Sequence, residues 1–136
     1  MFATIKKSKG IIDLIEIAFI FALSLLLLHE MDAVHKKEWN MFITLKDMPD
    51  ERARNIFIVG HLPLYFAVLF LMANGWMIGN YLLYYGVDVF LIVHAILHFY
   101  FRKHKRNKFN SVFSKTIIYM PAVFGIIHLC ILFGVR

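Results

Sequence analysis

Four long apolar stretches constrain this chain more than any other feature of its sequence. They cover residues 11–28, 56–78, 81–101 and 116–135, and the first continues into a polar segment, so that helices are predicted at about residues 11–35, 56–78, 81–101 and 116–135. A helix needs about 20 such residues to cross the hydrocarbon layer of a bilayer, and each stretch is close to or above that length. We therefore predict an all-α fold, a four-helix transmembrane bundle, with residues 1–136 forming a single integral membrane domain.

The composition excludes several other classes of protein. The chain is 60% hydrophobic and 18% charged, which is incompatible with a disordered chain and atypical of a soluble domain. The net charge of +6 does not indicate a nucleic-acid partner, because most lysines and arginines flank the apolar stretches. The single cysteine, Cys130, excludes an internal disulfide and a cysteine-based zinc motif. The expected partners are the lipid bilayer and a lipid-like substrate, with a homo-oligomer left open.

The positions of the basic residues predict the orientation in the membrane. Eleven lysines and arginines lie in the segments after the first and third stretches, whereas four lie near the two termini. Cytoplasmic loops of membrane proteins carry the excess of basic residues. We therefore expect residues 40–55 and 102–115 to be cytoplasmic and both termini to be extracytoplasmic.

Ionisable residues within or beside the apolar stretches are the candidate functional groups. Such residues are costly in a membrane and are usually functional. His94 and His98 lie four residues apart and share one face of the third helix, and Asp88 lies on the same broad face. Alternation of four spans brings an imidazole from each helix into the bundle, several of them in the same membrane half.

Imidazoles and carboxylates without thiolates indicate a divalent metal ion, with zinc favoured and iron or manganese left open. A catalytic zinc takes three protein ligands and keeps one position for water, and a neighbouring carboxylate can act as the base. We expect metal binding to weaken below about pH 6, where imidazole becomes protonated. The expected metal ligands are His29, His61, His94, His98 and His128, the expected catalytic carboxylates are Glu30, Asp32 and Asp88, and Glu38 is expected to orient a ligand or to pair with a basic side chain at the membrane surface.

The first helix is expected to continue past the membrane towards Trp39, because residues 27–39 contain neither glycine nor proline. On such a helix His29 and Asp32 share a face, and Glu38 lies two and a half turns beyond His29.

These residues form motifs that resemble those of a family of small bacterial four-pass membrane proteins of unknown function. The motifs are HEMDA at residues 29–33 followed by Glu38-Trp39, HLPLY at residues 61–65, and Asp88 with His94 and His98. The resemblance covers about residues 23–100 and, more loosely, His128. It implies a multi-pass protein of the bacterial inner membrane, and it implies no reaction.

The favoured function is a membrane-embedded zinc hydrolase that acts on a lipid-like amide or ester, with a di-iron oxidoreductase as a variant. Three alternatives remain open at this point. One is a proton or metal-ion transporter lined by histidines and acids. Another is a b-type haem electron-transfer protein, with haem held between imidazoles on two helices. The last is an interaction subunit whose histidines only join helices.

Overall fold

The computed structural model describes residues 2–78 and 82–134, and within them the chain forms four long α-helices, one short 3-10 helix and no strand. Each long helix contains a segment that is long and apolar enough to cross a membrane. The predicted all-α membrane bundle is therefore confirmed. The four helices are α1 (Phe2–Lys36), α2 (Asp50–Ile78), α3 (Leu82–Phe101) and α4 (Val112–Gly134).

Three helices begin earlier than the apolar stretches predicted, α1 at Phe2 rather than residue 11, α2 at Asp50 rather than 56, and α4 at Val112 rather than 116. Hydropathy marks the part of a helix that crosses the membrane, whereas capping marks its first turn. Before α2, the carbonyl of Pro49 accepts the backbone N–H of Ala53 at 3.0 Å. Before α4, the Ser111 hydroxyl accepts the backbone N–H of Ser114 at 3.0 Å.

The helices alternate in direction, so that the segments after α1 and after α3 meet at one end of the bundle. The guanidinium of Arg106, which follows α3, donates to the carbonyl of Lys46, which follows α1, at 2.7 Å. The carboxyl ends of α1 and α3 and the amino ends of α2 and α4 therefore share this end. The topology therefore places side chains near those four helix ends at the same end of the bundle.

The bundle is packed unevenly, with α1, α3 and α4 forming most of the core. Buried residues of α1 and α3 form one apolar cluster, which includes Phe19, Leu26 and Leu91. In α2, by contrast, Ala53 and Phe57 near its start are the buried hydrophobic residues of the described part. The looser packing of α2 leaves cavities between it and the rest of the bundle.

The carboxyl end of α1 differs from the prediction, because the helix does not reach Trp39. It ends at Lys36, and Lys37 adopts a left-handed conformation with φ 59° and ψ 52°, which few residues other than glycine adopt. The 3-10 helix Glu38–Met41 follows. Asp50 holds this turn in place by accepting the Lys37 ammonium at 2.7 Å and the Trp39 indole N–H at 3.1 Å.

Candidate metal centre

Four ionisable side chains converge between α1, α3 and the 3-10 helix, and we call them the metal-binding group. They are His29 from α1, His94 and His98 from α3, and Glu38 from the 3-10 helix. Each offers one ligand atom, and these atoms all lie within 4.8 Å of one another. Glu38 joins two of the rings, since one carboxylate oxygen lies 3.3 Å from His98 Nε2 and the other 3.8 Å from His29 Nε2.

Two different structural features assemble this group. His94 and His98 stand on one face of α3 because they are four residues apart. Glu38 arrives by the left-handed turn at Lys37, which ends α1 and returns the chain towards the bundle. On a continuous helix Glu38 would lie about 13 Å further along than His29 and on the opposite face. The turn therefore makes the convergence of His29 and Glu38 possible.

The burial of His29 supports metal binding at this place. Its ring is fully buried, and in the part of the chain that the structure describes neither ring nitrogen has a hydrogen-bond partner. Leaving a buried polar group unpaired costs about 1–3 kcal/mol. Phe109, from the segment after α3, packs against the rings of His29 and His98 at centroid distances of 5.6 and 5.2 Å and covers them. Three imidazoles and a carboxylate, among which the buried His29 ring has no hydrogen-bond partner in the described part of the chain, fit a zinc or iron ion.

Glu30 and His61 form a separate pair beside the metal-binding group. His61 Nε2 lies 2.9 Å from a carboxylate oxygen of Glu30, and His61 Nδ1 lies 2.6 Å from the carbonyl oxygen of Phe57. A carbonyl only accepts hydrogen bonds, so Nδ1 carries a proton. The contact between Nε2 and Glu30 then requires a further proton, held by one of the two groups. A proton therefore lies between His61 Nε2 and the Glu30 carboxylate.

One cavity of about 430 Å³ connects the pair with the metal-binding group, and we call it the polar cavity. Its wall includes both Glu30 and His61 and three members of the group. The remaining wall is largely apolar and is formed by α2, α3 and the segment around residues 41–44. His29, the fourth member of the metal-binding group, does not line the polar cavity. The five ionisable side chains that line the polar cavity are Glu30, Glu38, His61, His94 and His98.

Asp88 and His128 lie together elsewhere, between α3 and α4. Their contact is 2.6 Å from His128 Nδ1 to Asp88 Oδ2, and both side chains are fully buried. The rings of Phe19 and Tyr84 pack against His128 at centroid distances of 5.4 and 5.2 Å. An added Cβ at Gly125 would lie 3.5 Å from Asp88, so α4 approaches α3 closely here.

The structure thus divides the residues that the sequence singled out. His29, His94 and His98 come together, and Glu38, which was expected only to orient a ligand or to pair at the surface, lies among them. His61 contacts Glu30 instead of joining this group. Asp32 lies outside the group as well, with a buried carboxylate oxygen that has no hydrogen-bond partner among the described residues. The Glu38-Trp39 motif was the available sign that Glu38 lies with these histidines.

No curated protein and no solved structure matches this chain. One family does match, over residues 15–135. This range includes the metal-binding group, the Glu30–His61 pair and the Asp88–His128 pair. The chain therefore belongs to the family of unknown function DUF6713.

Proposed function

We propose that this protein is a membrane-embedded, metal-dependent enzyme. The observation that carries the proposal is the convergence of ligand atoms from His29, Glu38, His94 and His98 within 4.8 Å, at the wall of a cavity. Three imidazoles and a carboxylate are a donor set that suits zinc, which we favour, and also iron. A zinc ion supplies a Lewis acid and an activated water molecule when bound.

The reaction we favour is hydrolysis of an ester or amide in a lipid-like molecule. Water adds to the carbonyl carbon, the bond to the leaving oxygen or nitrogen breaks, and the leaving atom gains a proton. The Glu30–His61 pair faces the same cavity and holds a proton to donate. Glu30 and His61 therefore serve as the general acid, and the proton lost by the attacking water restores the pair.

Metal analysis of the detergent-purified protein tests the metal site. We expect wild type to contain zinc, and the variants His29→Ala, His94→Ala and His98→Ala each to lose at least about tenfold in affinity. His35→Ala is the matched control, because His35 is also on α1 but is exposed. Circular dichroism identifies variants that keep their helices. Full metal content in the folded triple variant would end the proposal, and iron in place of zinc would favour the oxidoreductase variant.

A transporter of protons or metal ions is the second candidate, and the buried Asp88–His128 pair favours it. This pair extends the ionisable residues of the interior away from the metal-binding group and towards the other end of α3. Chains of intramembrane histidines and acids carry protons or ions in transporters. Uptake of zinc or protons by vesicles containing the purified protein, lost in Asp88→Asn, would support this candidate over the enzyme.

We also propose a location in the bacterial inner membrane, with residues 40–55 and 102–115 in the cytoplasm. The excess of basic residues in these segments supports this orientation. The metal-binding group would then lie in the cytoplasmic half of the membrane, close to the ends of α1 and α3.

A further inference from the structure

A second cavity lies between α1, α2 and α3, and its wall is almost wholly apolar. We call it the apolar cavity, and its volume is about 520 Å³. The helices contribute side chains such as Leu23 and Leu27 from α1, Val68 and Met72 from α2, and Val87 from α3. It lies where α2 packs loosely against its neighbours.

The two cavities adjoin each other. Leu64 of α2 and Phe90 of α3 line both of them. Phe90 also stacks on the ring of His94, with centroids 5.7 Å apart and ring planes 12° apart. The side chain at the boundary therefore touches the metal-binding group. Imidazoles and carboxylates line one end of the combined space, and apolar side chains line the other end.

We propose that the apolar cavity holds one acyl chain of an amphiphilic substrate whose ester or amide carbonyl lies in the polar cavity. This inference rests on the proposed function, because it assigns the substrate of the same site. The wall from Leu64 to Met72 is about 12 Å long, which accommodates an extended chain of medium length. Since Leu64 and Phe90 lie nearest the metal-binding group, the end of the chain lies near Met72 and Leu83.

The lipid around the protein determines how the apolar cavity contributes to substrate binding. Its walls belong mainly to membrane-spanning segments, so an acyl chain already resides in hydrocarbon before it enters. Transfer from lipid to an apolar cavity gives little hydrophobic gain, and close packing provides the selectivity instead. The apolar cavity therefore selects chain length and positions the carbonyl, while the polar cavity holds the head of the molecule.

Gly86 offers a way to fill the apolar cavity without disturbing the fold. It lines the cavity, and a Cβ added at this position meets no atom within 4 Å. Leucine is also a better helix former than glycine, so Gly86→Leu does not weaken α3. Gly134→Leu is the matched control, because Gly134 has the same open surroundings and lines neither cavity.

The experiment uses the full chain in lipid nanodiscs and an N-dodecanoyl amide with a photoreactive diazirine at the end of its alkyl chain. After illumination, peptide mass spectrometry maps the label, and zinc and iron are measured in the same samples. We expect labelling near Met72 and Leu83, reduced about tenfold in Gly86→Leu because a side chain then occupies the space of the chain. Zinc content should not change in Gly86→Leu, and Gly134→Leu should label like wild type.

Two outcomes would overturn the inference. One is equal labelling of wild type and Gly86→Leu. The other is labelling confined to outward-facing residues such as Val59, Leu62 and Phe66, which are exposed and line neither cavity and would report only the surrounding lipid. Metal content separates the two proposals: bound metal without labelling of the apolar cavity ends this inference alone, whereas labelling without bound zinc or iron ends the proposed function and leaves an acyl-chain site.

Discussion

At the scale of single residues, Glu38 joins two of the rings in the metal-binding group. Its carboxylate lies 3.3 Å from His98 and 3.8 Å from His29, and its side chain is 11% exposed. A carboxylate removed from water needs a partner that compensates its charge. A divalent cation between the rings would compensate it. We therefore expect Glu38 to be a metal ligand itself, and not only a group that orients a ligand.

Glu38→Gln should remove most of the metal affinity while it preserves the shape of the side chain. The amide has no negative charge to offer a divalent cation, so we expect a loss of about tenfold to a hundredfold in zinc affinity. Competition with a chromogenic chelator measures this loss. Glu51→Gln is the matched control, since the Glu51 side chain is 82% exposed at the start of α2. Unchanged affinity in Glu38→Gln would remove Glu38 from the site.

The Asp88–His128 pair should contribute to stability without contributing to metal content. Removing one partner of a fully buried pair leaves the other buried without a partner, which lowers the free energy of unfolding by about 3–5 kcal/mol. We expect Asp88→Ala and His128→Ala each to show such a loss, and the double variant to lose less than their sum. Unfolding in mixed detergent micelles measures these energies. Loss of zinc from folded His128→Ala would instead assign this pair to the metal centre.

The turn after α1 decides the geometry of the site at the scale of elements. Lys37 has a left-handed backbone conformation, which is unfavourable for residues other than glycine. The hydrogen bonds that Lys37 and Trp39 donate to Asp50 compensate for this cost. Asp50 is the first residue of α2. The end of one helix is thus determined by the start of the next, and through this contact α2 influences where Glu38 lies.

Replacing Lys37 by glycine and by alanine should separate the backbone cost from the ion pair. Both variants lose the contact between the Lys37 ammonium and Asp50, but only glycine relieves the left-handed conformation. We expect Lys37→Gly to be more stable than Lys37→Ala by about 1 kcal/mol, with zinc content kept. Thermal unfolding in detergent gives the comparison. Higher stability of the alanine variant would mean that α1 continues as a helix through this position.

At the scale of the whole molecule, the alternation of four helices decides which end of the bundle carries the site. The contact between Arg106 and the Lys46 carbonyl joins the segments after α1 and α3 at one end. The metal-binding group lies close to that same end. Its location relative to the cytoplasm therefore follows directly from the location of these two segments.

Reporter fusions should place residues 102–115 in the cytoplasm. A fusion after Lys108 should give the signal of a cytoplasmic reporter and none from a periplasmic one, because the basic segments resist translocation. A fusion at the carboxyl terminus, which follows one further span, should give the opposite result. Periplasmic activity after Lys108 would reverse the orientation. The geometry of the metal-binding group would be unaffected, since it depends only on which helix ends lie together.

Much of this molecule was predictable from the sequence. Four spans follow from apolar runs, because a bilayer requires helices of a certain length and an apolar surface. The pairing of His94 with His98 follows from helical periodicity, which is a local property. Because successive spans alternate in direction, the carboxyl ends of α1 and α3 lie at the same end of the bundle, so the approach of His29 to these residues was predictable as well.

Tertiary contacts alone decided the rest. Nothing in residues 27–39 predicts a break, since the left-handed turn at Lys37 is held by Asp50, thirteen residues away. That turn brings Glu38 into the metal-binding group. The separation of His61 from this group likewise depends on how α2 packs, because Glu30 and the Phe57 carbonyl occupy both of its ring nitrogens. Local periodicity determines which side chains share a helix face, but only packing between helices determines which faces meet.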